Sequence, residues 1–493
     1  MQYIDVWDIF SAEKFLEENR GKLDNFSYSL MAGELAFYRG RYREAYSIFK
    51  DLERFVKLSP YHTEIFETAE NLLSYEEQST SIETENFIIR YVKDKDFPLA
   101  SYIGDVLEAQ FRQLKNIFPV HQKNKILVEI MPDIQTFALA SPLREIEIRK
   151  TGTVGLCKYA KIMIVSPRLY SRGYHWASTA GHELVHYFEK RTYGDSLPLW
   201  LNEGVAKYFE NMWRKALNLS ERERDFLLVL KNGWGRGIFV SFDEMYPSIA
   251  KLPSGDHAGV AFAEVESFVS YFIEKYGQAK FFDLLSAISF NGGDIKRAVN
   301  ELLGIEFSEL EKGWREETNK RLSRVKKVDI PLYPQLKYSG KSENEEEEID
   351  YSKTLPDYYR LGNLLYKKGY FLAASHEYKK ALTDPANESL ALYTKTGLAL
   401  MKANRYSEAL VYFKKAIDLF PGFFTPYWRA GEVLAELKRW RDALLYLVEA
   451  NFINPYHPGL HEVLQKCYEE SGDIERVERE RSVHDFIIRN ILR

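Results

Sequence analysis

Apolar and polar positions follow three different rhythms along the chain. In the first 80 residues they recur at helical spacing. The stretch FSYSLMAGELAFYRGRYREAYSIFKDLERF, with Gly33, Ala45 and Phe49, predicts two helices broken at Arg39-Gly40. From residue 86 the rhythm shortens. NFIIRYV at 86–92 and ILVEIM at 126–131 are β-rich runs bounded by polar residues, and LASYIGDVLEAQFRQLKNIF between them is helical in pattern. TGTVGLCKY and KIMIVSP then predict a hairpin or two neighbouring strands, followed by a helix over AGHELVHYFEK. Strands and helices mixed in this order predict an α+β domain.

A third rhythm begins after KSENEEEEID at 341–350, an acidic run that reads as a solvated linker. Gly362, Gly397 and Gly431 recur at 35 and 34 residues. Ala374, Ala409 and Ala443 keep the same register, as do Ala381, Ala416 and Ala450, and Pro421 and Pro455 close two of the units. Small residues let paired helices approach, and prolines end the second helix of a pair. This resembles the tetratricopeptide repeat over residues 357–456. Residues 459–480 read as a degenerate capping unit, and residues 27–57 resemble one further repeat.

Four segments are therefore expected. They are a helical region at 1–80 with a repeat-like hairpin, an α+β domain at 81–330, the acidic linker at 331–356 and a repeat domain at 357–493.

Composition narrows the function. A chain of 493 residues exceeds one core and suits two or three domains. The formal net charge of −5 argues against a general binder of nucleic acid or of anionic membranes. Cys157 and Cys467 form no CxxC pair, so both read as small buried hydrophobes, and a metal would have to be held by His, Asp or Glu. The N-terminal stretch MQYIDVWDIFSAEKFLEENR lacks the pattern of a signal peptide, and no apolar run reaches the length of a membrane span. The expectation is a cytoplasmic protein, or a secreted one if a leader was removed.

The candidate chemistry lies in AGHELVHYFEK. His182 and His186, four apart on a helix, can point their imidazoles at one ion, with Glu183 one step round the helix, close enough to polarise a water. Catalytic zinc takes three protein ligands and leaves one position open. LPLWLNEGVAKYFE downstream predicts a second helix begun by Pro198 after a turn at Gly194-Asp195. Two antiparallel helices would return Glu203 over the histidine pair.

HELVH followed by WLNEGVAKYFE resembles the gluzincin clan of metallopeptidases. The second segment is similar to the matching stretch of zinc aminopeptidases related to leukotriene hydrolase. However, the spacing to Glu203 is shorter than theirs, and their Gly-x-Met-Glu-Asn motif is absent. The smaller peptidase-MA-like family, often found beside tetratricopeptide repeats, fits better over about residues 83–320. The resemblance implies an α+β zincin-like metallopeptidase domain flanked by all-α tetratricopeptide-repeat helices. It implies Zn²⁺ held by His182, His186 and Glu203, with Glu183 as general base. It further implies an extended peptide pairing with the strand near 153–158.

Two parts of such a site are not supplied by matching residues. Where relatives carry a tyrosine that stabilises the oxyanion, Phe262 stands. The remaining candidates are His257, Tyr246 and His175, of which His257 is preferred as the second catalytic residue and His175 is expected to face water. The acid expected four residues after Glu203 is replaced by Lys207, and Glu210 is expected to point about two turns away. The reading is a zinc metallopeptidase, more an endopeptidase than an exopeptidase, whose repeats recruit a protein substrate or partner. The alternatives are a repeat scaffold carrying an inactive zincin domain, and a zinc hydrolase acting on another bond.

Overall fold

A computed structural model describes residues 9–120, 124–220, 226–246, 249, 252–325, 332, 357–384 and 387–492. The acidic run at 341–350 lies outside the described residues. The chain forms two compact units: residues 1–166 with 178–325, and residues 167–177 with 326–493. Among the described residues no helix is long and apolar enough to cross a membrane.

In the first unit the helix Ile9–Glu18 precedes a helical hairpin, Asn25–Tyr38 and Tyr42–Glu53. A Cβ on Gly33 would lie 2.8 Å from the Phe49 ring, so glycine permits the helix contact that the sequence pattern anticipated. A long helix, Pro60–Gln78, leads into a five-stranded sheet. Its strands are β1 (Ser79–Glu83), β2 (Phe87–Val92), β3 (Ile126–Met131), β4 (Gly155–Lys158) and β5 (Lys161–Val165), in the order β1-β2-β3-β5-β4. β2, β3 and β5 run parallel, while β1 and β4 are antiparallel edges. β1 begins within the stretch read as wholly helical. The helix Phe97–Lys115 makes the connection between parallel β2 and β3. β5 is buried along its whole length and β3 nearly so, as expected of central strands covered on both faces.

One charged cluster ties the N-terminal hairpin to the sheet. Glu129, fully buried in β3, accepts from Lys161 Nζ at 2.6 Å, Tyr42 OH at 2.9 Å and Arg90 Nη1 at 3.0 Å. Lys161 Nζ also donates to Tyr42 OH at 2.8 Å. Both cations hold the Glu129 carboxyl below its ordinary range against the opposing effect of burial.

The second unit contains the repeats. Its helical hairpins are Asp357–Lys367 with Phe371–Ala381, Leu390–Lys402 with Tyr406–Leu419, Phe424–Glu436 with Trp440–Asn451, and Pro458–Ser471 with Ile474–Asn490. A Cβ on Gly362, Gly397 or Gly431 would lie 2.5 Å from Tyr378, Phe413 or Leu447 respectively. Each glycine thus sits under a large side chain of the partner helix, and this explains the recurring spacing. The fourth hairpin lacks that glycine and is held instead by buried His461, whose ring nitrogens lie 2.8 Å from Glu480 Oε2 and 3.0 Å from the Pro455 carbonyl. This unit also contains residues 167–177, which lie in the middle of the α+β segment by sequence.

Candidate metal site

The helix Trp176–Tyr193 carries His182, Glu183 and His186. A turn through Gly194, at φ 64°, leads to the helix Leu199–Phe209, capped by Pro198 as the sequence predicts. The two helices approach closely because position 181 is glycine, where a Cβ would lie 2.1 Å from the Glu210 carbonyl oxygen. Gly204 in turn lets the second helix pack on Gly255–Tyr276, where a Cβ would meet the Val265 carbonyl at 2.9 Å. Trp200 stacks on Phe242 at 3.9 Å and fixes the start of the same helix.

This packing brings three donor atoms together. His182 Nε2 lies 3.1 Å from His186 Nε2 and 3.3 Å from Glu203 Oε2, and His186 Nε2 lies 3.7 Å from Glu203 Oε2. Tetrahedral ligands about 2.1 Å from a zinc ion stand roughly 3.4 Å from one another, so the triangle has the size that zinc requires. Among the described residues it is the one group of three metal-ligating side chains gathered within such a radius. The three side chains are partly exposed, at 13%, 21% and 20%, which leaves a side open to a further ligand.

The imidazoles are held from behind by carboxylates. His182 Nδ1 donates to Glu210 Oε2 at 3.1 Å, and His186 Nδ1 to Glu189 Oε2 at 3.0 Å. With Nδ1–H engaged, each ring turns its Nε2 toward Glu203. Glu210 also accepts from Lys207 Nζ at 2.8 Å. The expectation that Glu210 points away is therefore corrected. It caps the end of its helix at the close crossing with Gly181, so helical phase counted from Glu203 misplaces it. Glu189 was missed altogether, although its position three residues after His186 on one helix was a readable signal.

Glu183 is buried and fixed by edge strand β4. A Cβ at Gly155 would lie 2.7 Å from Glu183 Oε1 and 2.6 Å from Thr179 Cγ2, and the Cys157 backbone N–H donates to the Glu183 carboxylate. Burial raises the Glu183 pKa, and the neighbouring imidazoles only partly oppose it. Cys157 is half-buried rather than fully buried, and burial beside Glu183 drives its thiol pKa well up. In the metal-free cluster burial works against protonated imidazole, yet Glu203 and Glu210 outweigh it and push His182 up to about 9. The same histidines depress Glu203 well below the carboxylate range. The pocket thus has a net preference for positive charge beside Glu203.

The other candidates are placed elsewhere. His257 sits in the first turn of Gly255–Tyr276, with Nδ1 2.8 Å from Ser254 Oγ, the residue that caps this helix. Among the described residues no hydrogen bond or ion pair joins it to His182, Glu183, His186 or Glu203. Tyr246 is 80% exposed. His175 does not face water: its Nε2 lies 3.8 Å from Glu449 and its ring packs on Phe452. The sequence could not reveal this, because those partners are more than 270 residues away.

The profile of the Peptidase MA superfamily matches residues 146–320. Residues 146–320 are a Peptidase MA superfamily domain. The match takes in β4, β5 and both helices of the donor triangle. Residues 391–423 match the tetratricopeptide repeat, as the second hairpin of the repeat unit does by its geometry. No curated protein matches the chain. Among solved structures, YrrB, titled a tetratricopeptide-repeat protein with an unusual peptide-binding site, is 18% identical with a TM-score of 0.26, covering 45% of this chain and 94% of its own. MamA of AMB-1 is 20% identical with a TM-score of 0.25, over 28% of this chain and 77% of its own. MamA of Desulfovibrio magneticus RS-1 is 20% identical with a TM-score of 0.26, over 27% and 77%.

Proposed function

We propose that the Peptidase MA domain is a zinc-dependent peptidase that cleaves within polypeptides delivered by the repeats. The observation that carries this reading is the triangle of His182 Nε2, His186 Nε2 and Glu203 Oε2, with edges of 3.1, 3.3 and 3.7 Å. A zinc ion bound there would supply Lewis-acid activation of water and of a carbonyl. Everything else is done by the chain. Glu210 and Glu189 fix the ring orientation of the two histidines. Glu183 takes the proton of the water that attacks the carbonyl and returns it to the departing amine, and a raised carboxyl pKa suits that exchange near neutral pH. β4 is a sheet edge, so an extended peptide can add to it as a further strand beside Glu183. His257 is left out of this mechanism, because its ring is engaged in a helix cap.

The scaffold reading rests on the oxyanion donor, since the preferred candidate His257 is engaged in a helix cap and Tyr246 is 80% exposed. One experiment separates the two. Metal content and casein-fragment cleavage are measured on wild type and Glu183→Gln. About one zinc per chain in both, with cleavage falling about 10²-fold or more in the variant, is the expected result. Zinc in both and cleavage in neither favours the scaffold.

A further inference from the structure

The hairpin that carries the strand beside Glu183 is closed by an unfavourable pair of residues. β4 and β5 pair antiparallel with Lys158 opposite Lys161, so Tyr159 and Ala160 alone form the turn. Their φ angles are 58° and 56°. A two-residue turn with positive φ at both positions matches the twist of a hairpin, but chains normally fill it with Asn-Gly or Asp-Gly. A Tyr-Ala pair is strained there, so the local sequence does not select this turn.

The turn sets which groups of β4 face Glu183. Val165 N–H donates to the Val154 carbonyl at 2.8 Å, so Val154, Leu156 and Lys158 turn their main-chain groups toward β5. Gly155 and Cys157 turn theirs to the open edge. Glu183 packs on that edge: a Cβ at Gly155 would lie 2.7 Å from its Oε1, and Cys157 N–H donates to its carboxylate. A slip of one residue would exchange the two sets. Cys157 N–H would then point at β5 and leave the carboxylate.

The strained turn is held by aromatic packing from the N-terminal helices of the same unit. Tyr159 is 7% exposed, and its ring centre lies 4.6 Å from that of Tyr38, the last residue of the helix Asn25–Tyr38. The hydroxyls of Tyr38 and Tyr61 are 2.7 Å apart, and Tyr61 stands in the first turn of Pro60–Gln78. Two helix ends therefore converge on one turn residue. Burying that ring offsets the backbone strain, which local sequence alone would avoid.

We infer that Tyr159 is a positioning residue for Glu183: its ring, seated on Tyr38, holds the β4 register that presents the Cys157 N–H to the carboxylate. The catalytic consequence rests on the reading of Glu183 as general base, whereas the register does not. The N-terminal helices then have a part in shaping the site, through one aromatic contact.

The test uses the full chain and two readouts, the first of which needs neither metal nor substrate. Hydrogen exchange is followed by mass spectrometry in peptides spanning 153–160, and the cleavage rate is measured on a casein fragment. Tyr159→Ala removes the ring and keeps a strained turn, and Tyr38→Leu removes its seat from the other side. Each is expected to speed exchange at 155–158 by roughly 3- to 10-fold and to slow cleavage by a similar factor. The double variant Tyr159→Asn with Ala160→Gly loses the same ring but supplies a turn that selects itself. It should stay within about twofold of wild type in both readouts, which a ring needed only for packing would not allow. Phe281→Leu is the control, since it loosens a fully buried contact with Phe272 and Phe282 elsewhere in the unit. It should lower the melting temperature and leave exchange at 155–158 unchanged. The inference is overturned if both single-ring variants exchange like wild type, if the double variant exchanges as fast as Tyr159→Ala, or if Phe281→Leu speeds that exchange equally. It is also overturned if exchange rises in the single variants while cleavage holds. A wild type that cleaves nothing would sink the general-base reading alone, because exchange would still decide the register.

Discussion

Two buried polar clusters lie in the same unit and have opposite character. Around Glu129 one carboxylate meets two cations, Lys161 and Arg90, and a tyrosine hydroxyl. Glu129 is fully buried and Lys161 is 2% exposed, so that cluster is closed. Around His182 and His186 four carboxylates, Glu183, Glu189, Glu203 and Glu210, face two imidazoles and one ammonium, Lys207. That cluster is rich in carboxylates, keeps Glu203 at 20% exposure and aims three donor atoms at a common point. A closed network, its one carboxylate met by two cations and a hydroxyl, serves the fold. An open one, rich in carboxylates and with its donors converging, has the form that the proposed metal site requires. The lesson is that exposure and the convergence of donor atoms separate structural from functional burial better than burial alone.

The contrast can be broken from either side. Replacing Lys161 by Met strands part of the Glu129 charge in the interior, and the loss of one partner of such a pair costs about 3–5 kcal/mol. Denaturant unfolding should show that loss, while zinc stoichiometry of the folded fraction stays at the wild-type value. A cost below about 1 kcal/mol would mean that Arg90 and Tyr42 satisfy Glu129 unaided. A smaller effect is expected at the open cluster. Glu210→Gln keeps the size of the side chain and removes the charge behind His182. It should weaken zinc by about 10- to 100-fold, with little change in the melting temperature of the metal-free protein. A variant that binds zinc as tightly as wild type would remove Glu210 from the site's support.

Much of this architecture could be read in advance where the signal is local. ILVEIM coincides with β3, TGTVGLCKY and KIMIVSP form the β4–β5 hairpin, and Gly362, Gly397 and Gly431 mark the repeats because each must pass under one large side chain. HELVH and WLNEG disclosed the donor triangle because four-residue spacing and a short return loop are both local geometry. What escaped depends on contacts between distant positions. Glu210 reaches His182 only because two helices cross at Gly181. Lys161 and Glu129 look like misplaced charges in apolar strands until Tyr42 and Arg90 are folded against them. Trp176 pairs with a carbonyl 275 residues downstream, beyond any periodicity.

The central claim is that His182, His186 and Glu203 hold zinc, and Glu203 is its most exposed point because the sequence places it on a separate helix. The decisive measurement is metal content by mass spectrometry of wild type and Glu203→Ala, each purified, stripped, reloaded with zinc and desalted. The account predicts about one zinc per chain in wild type and almost none in the variant, with both proteins folded by circular dichroism. Equal zinc in the two proteins would contradict it.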